Sequence, residues 1–243
     1  GTITQPTAKP VPPRGLFAAL ASLGMVLTVV VLVVARQVRP AHPNDANAIA
    51  SACPNGRCGA PPNGGCTTNA ECIAANEGKP ATCRKDRSVC APLETAECRV
   101  LAEKGDVEND ATLWIGAMYP QKDPDYGQGA ARAVDLARRD FAGLTGGLPP
   151  VPPSTKPRPI GVVLCDDSEA PERSAAHLVD GVGVPVILGF ARSKEVLDLA
   201  TSTFVPKGVL ALASNTASML ADIPREKNEP RLVLRVTTSA DMI

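Results

Sequence analysis

The stretch from Val184 to Ala200, VPVILGFARSKEVLDLA, most narrows the folds open to this chain. Val184, Val186, Ile187 and Leu188 form an apolar run of the kind found in strands covered on both faces, as in a parallel sheet flanked by helices. Gly189 frees the backbone to turn. Val196, Leu199, Ala200 and Phe204 then recur at helical spacing, leaving Lys194, Glu195 and Asp198 to face water. Ser193 stands where a helix N-cap is expected, so the unpaired amides of that helix would point into the loop. Open α/β sheets bind ligands beyond the carboxyl ends of their strands, which makes this loop the first candidate site.

The same alternation runs through the second half of the chain. Leu113 to Met118 reads as a strand, and Ala130, Ala133, Val134, Ala137 and Phe141 mark one face of the next helix, with Arg132, Asp135, Arg138 and Arg139 on the other. Thr145-Gly146-Gly147 ends it, and the proline-rich segment from Leu148 to Pro159 is an exposed connection. Ile160 to Cys165 is the second strand, followed by Asp166, Asp167, Ser168 and a helix whose Ala175, Leu178, Val179 and Val182 share a face. Val209 to Ala213 and Leu232 to Val236 supply two more strands, and a short helix through Met219, Leu220 and Ile223 lies between them. The expected fold class is α/β, a Rossmann-like parallel sheet with flanking helices.

The first half has a different texture. Residues 1–14 are rich in Pro and Thr and read as a flexible juxtamembrane tail. From Gly15 to Ala35 there is no charged residue, and a helix of that length spans roughly the 30 Å hydrocarbon core of a bilayer; residues 15–35 are expected to be a transmembrane helix. Lys9 and Arg14 on one side match Arg36 and Arg39 on the other, so charge does not orient it. A linker, 36–52, leads to Cys53, Cys58, Cys66, Cys72, Cys83, Cys90 and Cys98, set among Gly, Pro, Asn and Thr with little to form an apolar core. Disulfides in an oxidising compartment would staple such a segment, 53–98, and place the C-terminal region in the periplasm or otherwise outside the cytoplasm. With the eighth cysteine, Cys165, one arrangement pairs the first six locally and joins Cys98 to Cys165; the other leaves Cys165 reduced and buried. Zinc is disfavoured, since there is no C-x-x-C pair and the histidines are His42 and His177 alone.

Lys and Arg balance Asp and Glu at 25 each, and aromatic residues make up 3% of the chain, so neither a basic nucleic-acid face nor a stacking platform is indicated. No nucleotide-binding, nucleophile-elbow or zinc-protease motif occurs, and no cofactor or metal is expected. Asp166 and Asp167, at the end of a strand, suit capping of the next helix better than a catalytic pair. His177 lies in an exposed-looking helical stretch without a catalytic partner. The expected class is a binding protein, not an enzyme.

Five segments, IGAMYP, GVVLCDDSEAPERSAAHLV, VPVILGFARS, GVLALASNTASML and LVLRVTTSAD, occur in the order in which they would build successive strand units. In that order residues 111–243 resemble the first lobe of the type I periplasmic binding proteins, in the leucine/isoleucine/valine-binding branch that also occurs in receptor ectodomains. The resemblance implies an amino-acid-like ligand held between this lobe and a second one, for which these residues leave no room. It implies first-lobe contacts from the loops after the first, third and fourth strands: Tyr119, Pro120 and Gln121; Gly189, Phe190, Ala191, Arg192 and Ser193; and Ser214, Asn215 and Thr216. The loop after the third strand is bulkier and more charged than the family's usual small polar run, and Arg192 there is suited to clamp an anionic group or to lie on the rim.

The expectation is therefore a membrane-anchored sensor or receptor that recognises a small polar ligand outside the cytoplasm, with a signalling domain N-terminal to Gly1. Two alternatives remain: the substrate-binding component of an amino-acid ABC transporter, and a non-binding interaction scaffold.

Overall fold

A computed structural model describes residues 65–215, 217–221, 223 and 229–237. The tail 1–14, the apolar run 15–35, the linker 36–52, Cys53, Cys58 and Thr216 lie outside the described residues. Among the described residues no helix is long and apolar enough to cross a membrane.

The cysteine-rich segment contributes helix α1, Asn69–Ala75, and the antiparallel hairpin of β1, Ala81–Arg84, and β2, Val89–Pro92. Thr68 and Glu71 form a reciprocal capping box that starts α1, satisfying amides that the first helical turn leaves open. The bridges Cys66–Cys83 and Cys72–Cys90 tie α1 and the chain before it to the hairpin. These half-cystines and Ala81 make up the small core of the module. Buried Asn69 supplies its polar centre: Oδ1 accepts from the Cys83 amide at 2.8 Å and from the Thr82 hydroxyl, and Nδ2 donates to the carbonyls of Val107 and Asn109. Asn69→Ala would orphan these groups in a closed interior, and urea unfolding should show a loss of about 2–3 kcal/mol.

Five further strands and one edge strand form the 6-stranded main sheet. They are β3, Cys98–Leu101; β4, Leu113–Tyr119; β5, Ile160–Asp166; β6, Val186–Gly189; β7, Leu210–Ala213; and β8, Val233–Arg235. The spatial order is β3-β5-β4-β6-β7-β8, with β3 antiparallel to β5 and every other pairing parallel. The chain steps outward from β4 to β5, then crosses back over β4 to β6. That reversal is a topological switch point between β4 and β6.

Period-2 alternation distributes side chains to two cores. Trp114 and Met118 of β4, Val163 and Cys165 of β5 and Ile187 of β6 face one side. That side is covered by α3, Pro171–Ala176, its π-helical continuation His177–Val182, α4, Ser193–Leu199, and the π-helical turn Ala200–Phe204. Ala117, Val162 and Leu164 face the other side, against Ala131 and Val134 of α2, Tyr126–Thr145. At Gly161 a Cβ would lie 2.1 Å from the Trp114 ring, so the indole packs against bare backbone.

The structure corrects the sequence reading at several residues. The buried line of α2 passes through Gly127, Ala131 and Arg138, while Phe141 is exposed. Arg138, expected to face water, is 7% exposed, with its guanidinium held by Glu103 at 2.8 Å and Asp135 at 2.9 Å. His177 is buried, not exposed, because the cysteine-rich module docks on it: Leu93 enters the main core, and His177 Nε2 lies 3.4 Å from the Leu93 carbonyl. Burial lowers the His177 pKa and keeps the ring neutral. Arg84 fastens the same contact by donating to the carbonyls of Asp180 and Gly181. Cys98, read as the end of the cysteine-rich segment, is the first residue of β3 and is bridged to Cys165 directly across the ladder.

Candidate functional site

The C-terminal ends of β4, β6 and β7 lie side by side, since Met118 pairs with Gly189 and Gly189 with Ala213. The loops that leave them therefore share one edge. Gly189 has φ +118 and Phe190 φ +73, two successive left-handed residues that fold the chain back on itself. The Phe190 amide donates to the Met118 carbonyl at 2.8 Å. Its ring turns inward, fully buried, with its centroid 5.7 Å from that of Phe204. Phe190, expected in the ligand loop, is thus a core residue that anchors the loop from below.

Tyr119 closes β4, and its ring lies against Gly189, 6.0 Å from and edge-on to Tyr126 of α2. Burial pushes the Tyr119 hydroxyl up to about 12, so it stays a neutral donor. Tyr126, which sequence reasoning did not single out, extends its hydroxyl toward the Phe190 carbonyl, 3.5 Å away. Gln121 turns the other way. Its Oε1 accepts from Arg99 of β3 at 3.2 Å and its Nε2 donates to the Tyr119 carbonyl, which directs it across β5 and away from the switch point.

At the start of α4 the N-cap conformation belongs to Arg192, with φ −127 and ψ 133, and no side chain caps the helix. Ser193 is the first helical residue, not the cap. The Arg192 guanidinium is 65% exposed, with Nε 3.7 Å from Glu195 Oε2. It is a rim residue that can swing toward an anion.

After β7, the Ser214 amide reaches the Gly189 carbonyl at 3.5 Å. The carbonyls of Ser214 and Asn215 accept from the Thr237 hydroxyl, which follows β8; Thr237 too escaped the sequence reading. Asn215 Oδ1 is enclosed and has no hydrogen-bond partner. Tyr119, Gly189, Ser193, Ser214 and Asn215 are thus brought to one edge. The edge offers neutral donors and acceptors with the exposed Arg192 guanidinium at its rim, which suits hydrogen bonding to a small polar molecule.

Asp166, at the end of β5, serves its own loop: Oδ1 accepts from the amides of Ser168 and Gln121 and from the Ser168 hydroxyl. Asp167 turns inward and meets Glu195 of α4, which was expected to face water. A carboxylate partner from a distant element explains that difference, since no local periodicity encodes it.

No family model matches this chain, and no curated protein does. Among solved structures it is similar to the branched-chain amino acid transporter substrate-binding protein LivJ from Streptococcus pneumoniae in complex with isoleucine, at 18% identity and TM-score 0.41, over 53% of this chain and 34% of that one. The chain therefore spans about a third of that protein's length. The strand order described above, and not that likeness, defines the fold.

Proposed function

We propose that this chain is the first lobe of a type I periplasmic-binding-protein-like receptor, a binding protein and not an enzyme, which recognises a small polar ligand of amino-acid type outside the cytoplasm. The observation that carries the reading is the convergence of the β4, β6 and β7 ends at a switch point, with the partnerless Asn215 oxygen among them. Sheets of this order take their ligands there. The bridges Cys66–Cys83, Cys72–Cys90 and Cys98–Cys165 support an oxidising compartment. The apolar run Gly15 to Ala35 would anchor the protein in the membrane, and a fixed anchor suits sensing better than shuttling.

Titration calorimetry with a panel of α-amino acids, on protein that carries both lobes, tests this reading. One class should bind, and Asn215→Ala should weaken it by about tenfold, the equivalent of one hydrogen bond near 1.4 kcal/mol. Ser193→Ala and Ser214→Ala should each have smaller effects in the same direction. A flat panel on folded protein would favour an interaction scaffold instead, a reading that gains from the structural use of Phe190 and Gln121.

A further inference from the structure

Behind the candidate ligand edge lie two carboxyl groups that ligand binding leaves unused. Asp167, just after β5, is 0% exposed, and Glu195, in the first turn of α4, is 7% exposed. With both ionised every oxygen is an acceptor, and none of them receives a hydrogen bond from a side chain. Two facing carboxylates cannot stay enclosed in that state without a counter-charge.

The surroundings provide one only weakly. Arg192 favours ionisation of Glu195, but its guanidinium is largely in solvent, where its field is screened. Glu172 of α3 opposes ionisation of Glu195, and Asp166 opposes that of Asp167. The Ala191 amide favours the ionised form of Asp167, and the Tyr119 hydroxyl remains protonated beside it. Burial first, and then the charge of Asp167, push Glu195 up to about 8, while burial raises Asp167 as well. A proton on Glu195 supplies the donor that the contact lacks.

We propose that Asp167 and Glu195 hold one proton between them, and that this shared proton latches the first turn of α4, with the loop from Gly189 to Arg192, onto the end of β5. Loss of the proton leaves two negative charges in one enclosed space, and the turn moves outward to hydrate them. The sign of the linkage follows from the raised value. Between the ordinary carboxyl value of 4.5 and about 8, the folded state keeps a proton that the unfolded state has released. Stability therefore falls as pH rises through that window, by no more than about tenfold in the folded-to-unfolded ratio per pH unit, and levels off above it. The latch needs no ligand, so its test is independent of the ligand-binding reading.

Carbon-detected NMR of the full chain reads the carboxyl titrations, and hydrogen exchange, corrected for intrinsic rates, follows the amides from Gly189 to Leu199. One macroscopic step of the pair should fall at about 8, with exchange of the loop rising roughly tenfold or more across the same step. Glu195→Gln, whose carboxamide can donate to Asp167, should keep the loop protected at alkaline pH; Asp167→Asn makes the same test from the other side. The proposal is overturned if both carboxyls titrate in the ordinary range, if loop protection ignores pH, or if the variants keep the wild-type profile. Restoration of alkaline protection by sodium or calcium would assign the pair to a metal ion and overturn it equally.

Discussion

Replacing Gly189 with alanine should lower the unfolding free energy by about 3–5 kcal/mol, a large part of a domain's usual 5–15 kcal/mol. Two effects add. At φ +118 an L-residue is strained, by about 1–3 kcal/mol. The new Cβ would also stand 2.3 Å from the Met118 carbonyl oxygen, and forced overpacking costs about 1–3 kcal/mol more. That oxygen cannot retreat freely, because it accepts the Phe190 amide that holds the loop exit in place. The same chemical change at Gly129, in the first turn of α2 with nothing within 4 Å of its Cβ position, should instead stabilise the protein by about 0.5–1 kcal/mol. Urea unfolding of the two variants should give midpoints on opposite sides of the parent, with slopes unchanged. A Gly189→Ala protein within about 1 kcal/mol of the parent would show that the left-handed turn is not what fixes the edge.

That turn marks how far the sequence could be read. The parallel strands were legible because each is a short apolar run bounded by turn and loop residues. The placing of Gly189, Ser214 and Asn215 at the carboxyl ends of strands followed from the strands themselves. What periodicity could not reveal were residues whose environment is set by a partner distant in sequence. The many alanines of α2 leave its inward face ambiguous, and Arg138 turns inward to Glu103 and Asp135. His177 looks solvent-facing until Leu93 arrives from the cysteine-rich module. Glu195 has a surface residue's chemistry and a core residue's position, and Asp167 supplies the reason. The strand β3, Cys98–Leu101, is interrupted by Arg99 and set among charged residues, so it forms no apolar run, and it becomes visible only through its ladder with β5.

Three of these four cases trace to the chain between Cys90 and Asp110, which joins the module to the sheet. Its residues contribute an edge strand, a side chain in the main core and a counter-ion for α2. The module is therefore not a separate bead on a linker. Its hairpin and the α3 side of the sheet share a core through Leu93, so each is incomplete without the other.

The bridge at the base of that junction should accordingly contribute more than either hairpin bridge. Cys98 and Cys165 are separated by 67 residues in sequence, against 17 and 18 for the other two pairs. In the chain-entropy account, closing the longer loop destabilises the unfolded state by about 4 kcal/mol, against about 3 kcal/mol for each shorter one. Both cysteines are almost wholly buried, so alanine fills their sites with little strain, and the variant carrying Cys98→Ala and Cys165→Ala should unfold about 3–4 kcal/mol more easily. The dependence on urea should steepen as well, because an uncrosslinked chain expands further and exposes more surface. Hydrogen exchange should place part of the loss locally. Amides of β3 and β2 should gain exchange first, since the Asp166 amide to the Glu97 carbonyl and the Arg173–Glu97 ion pair would be left to hold that edge. Those of β4 and β6 should open only with global unfolding. A double variant that loses less than about 1 kcal/mol, or one in which β3 and β4 open together, would mean that the ladder and the Leu93 contact hold the junction without the bridge.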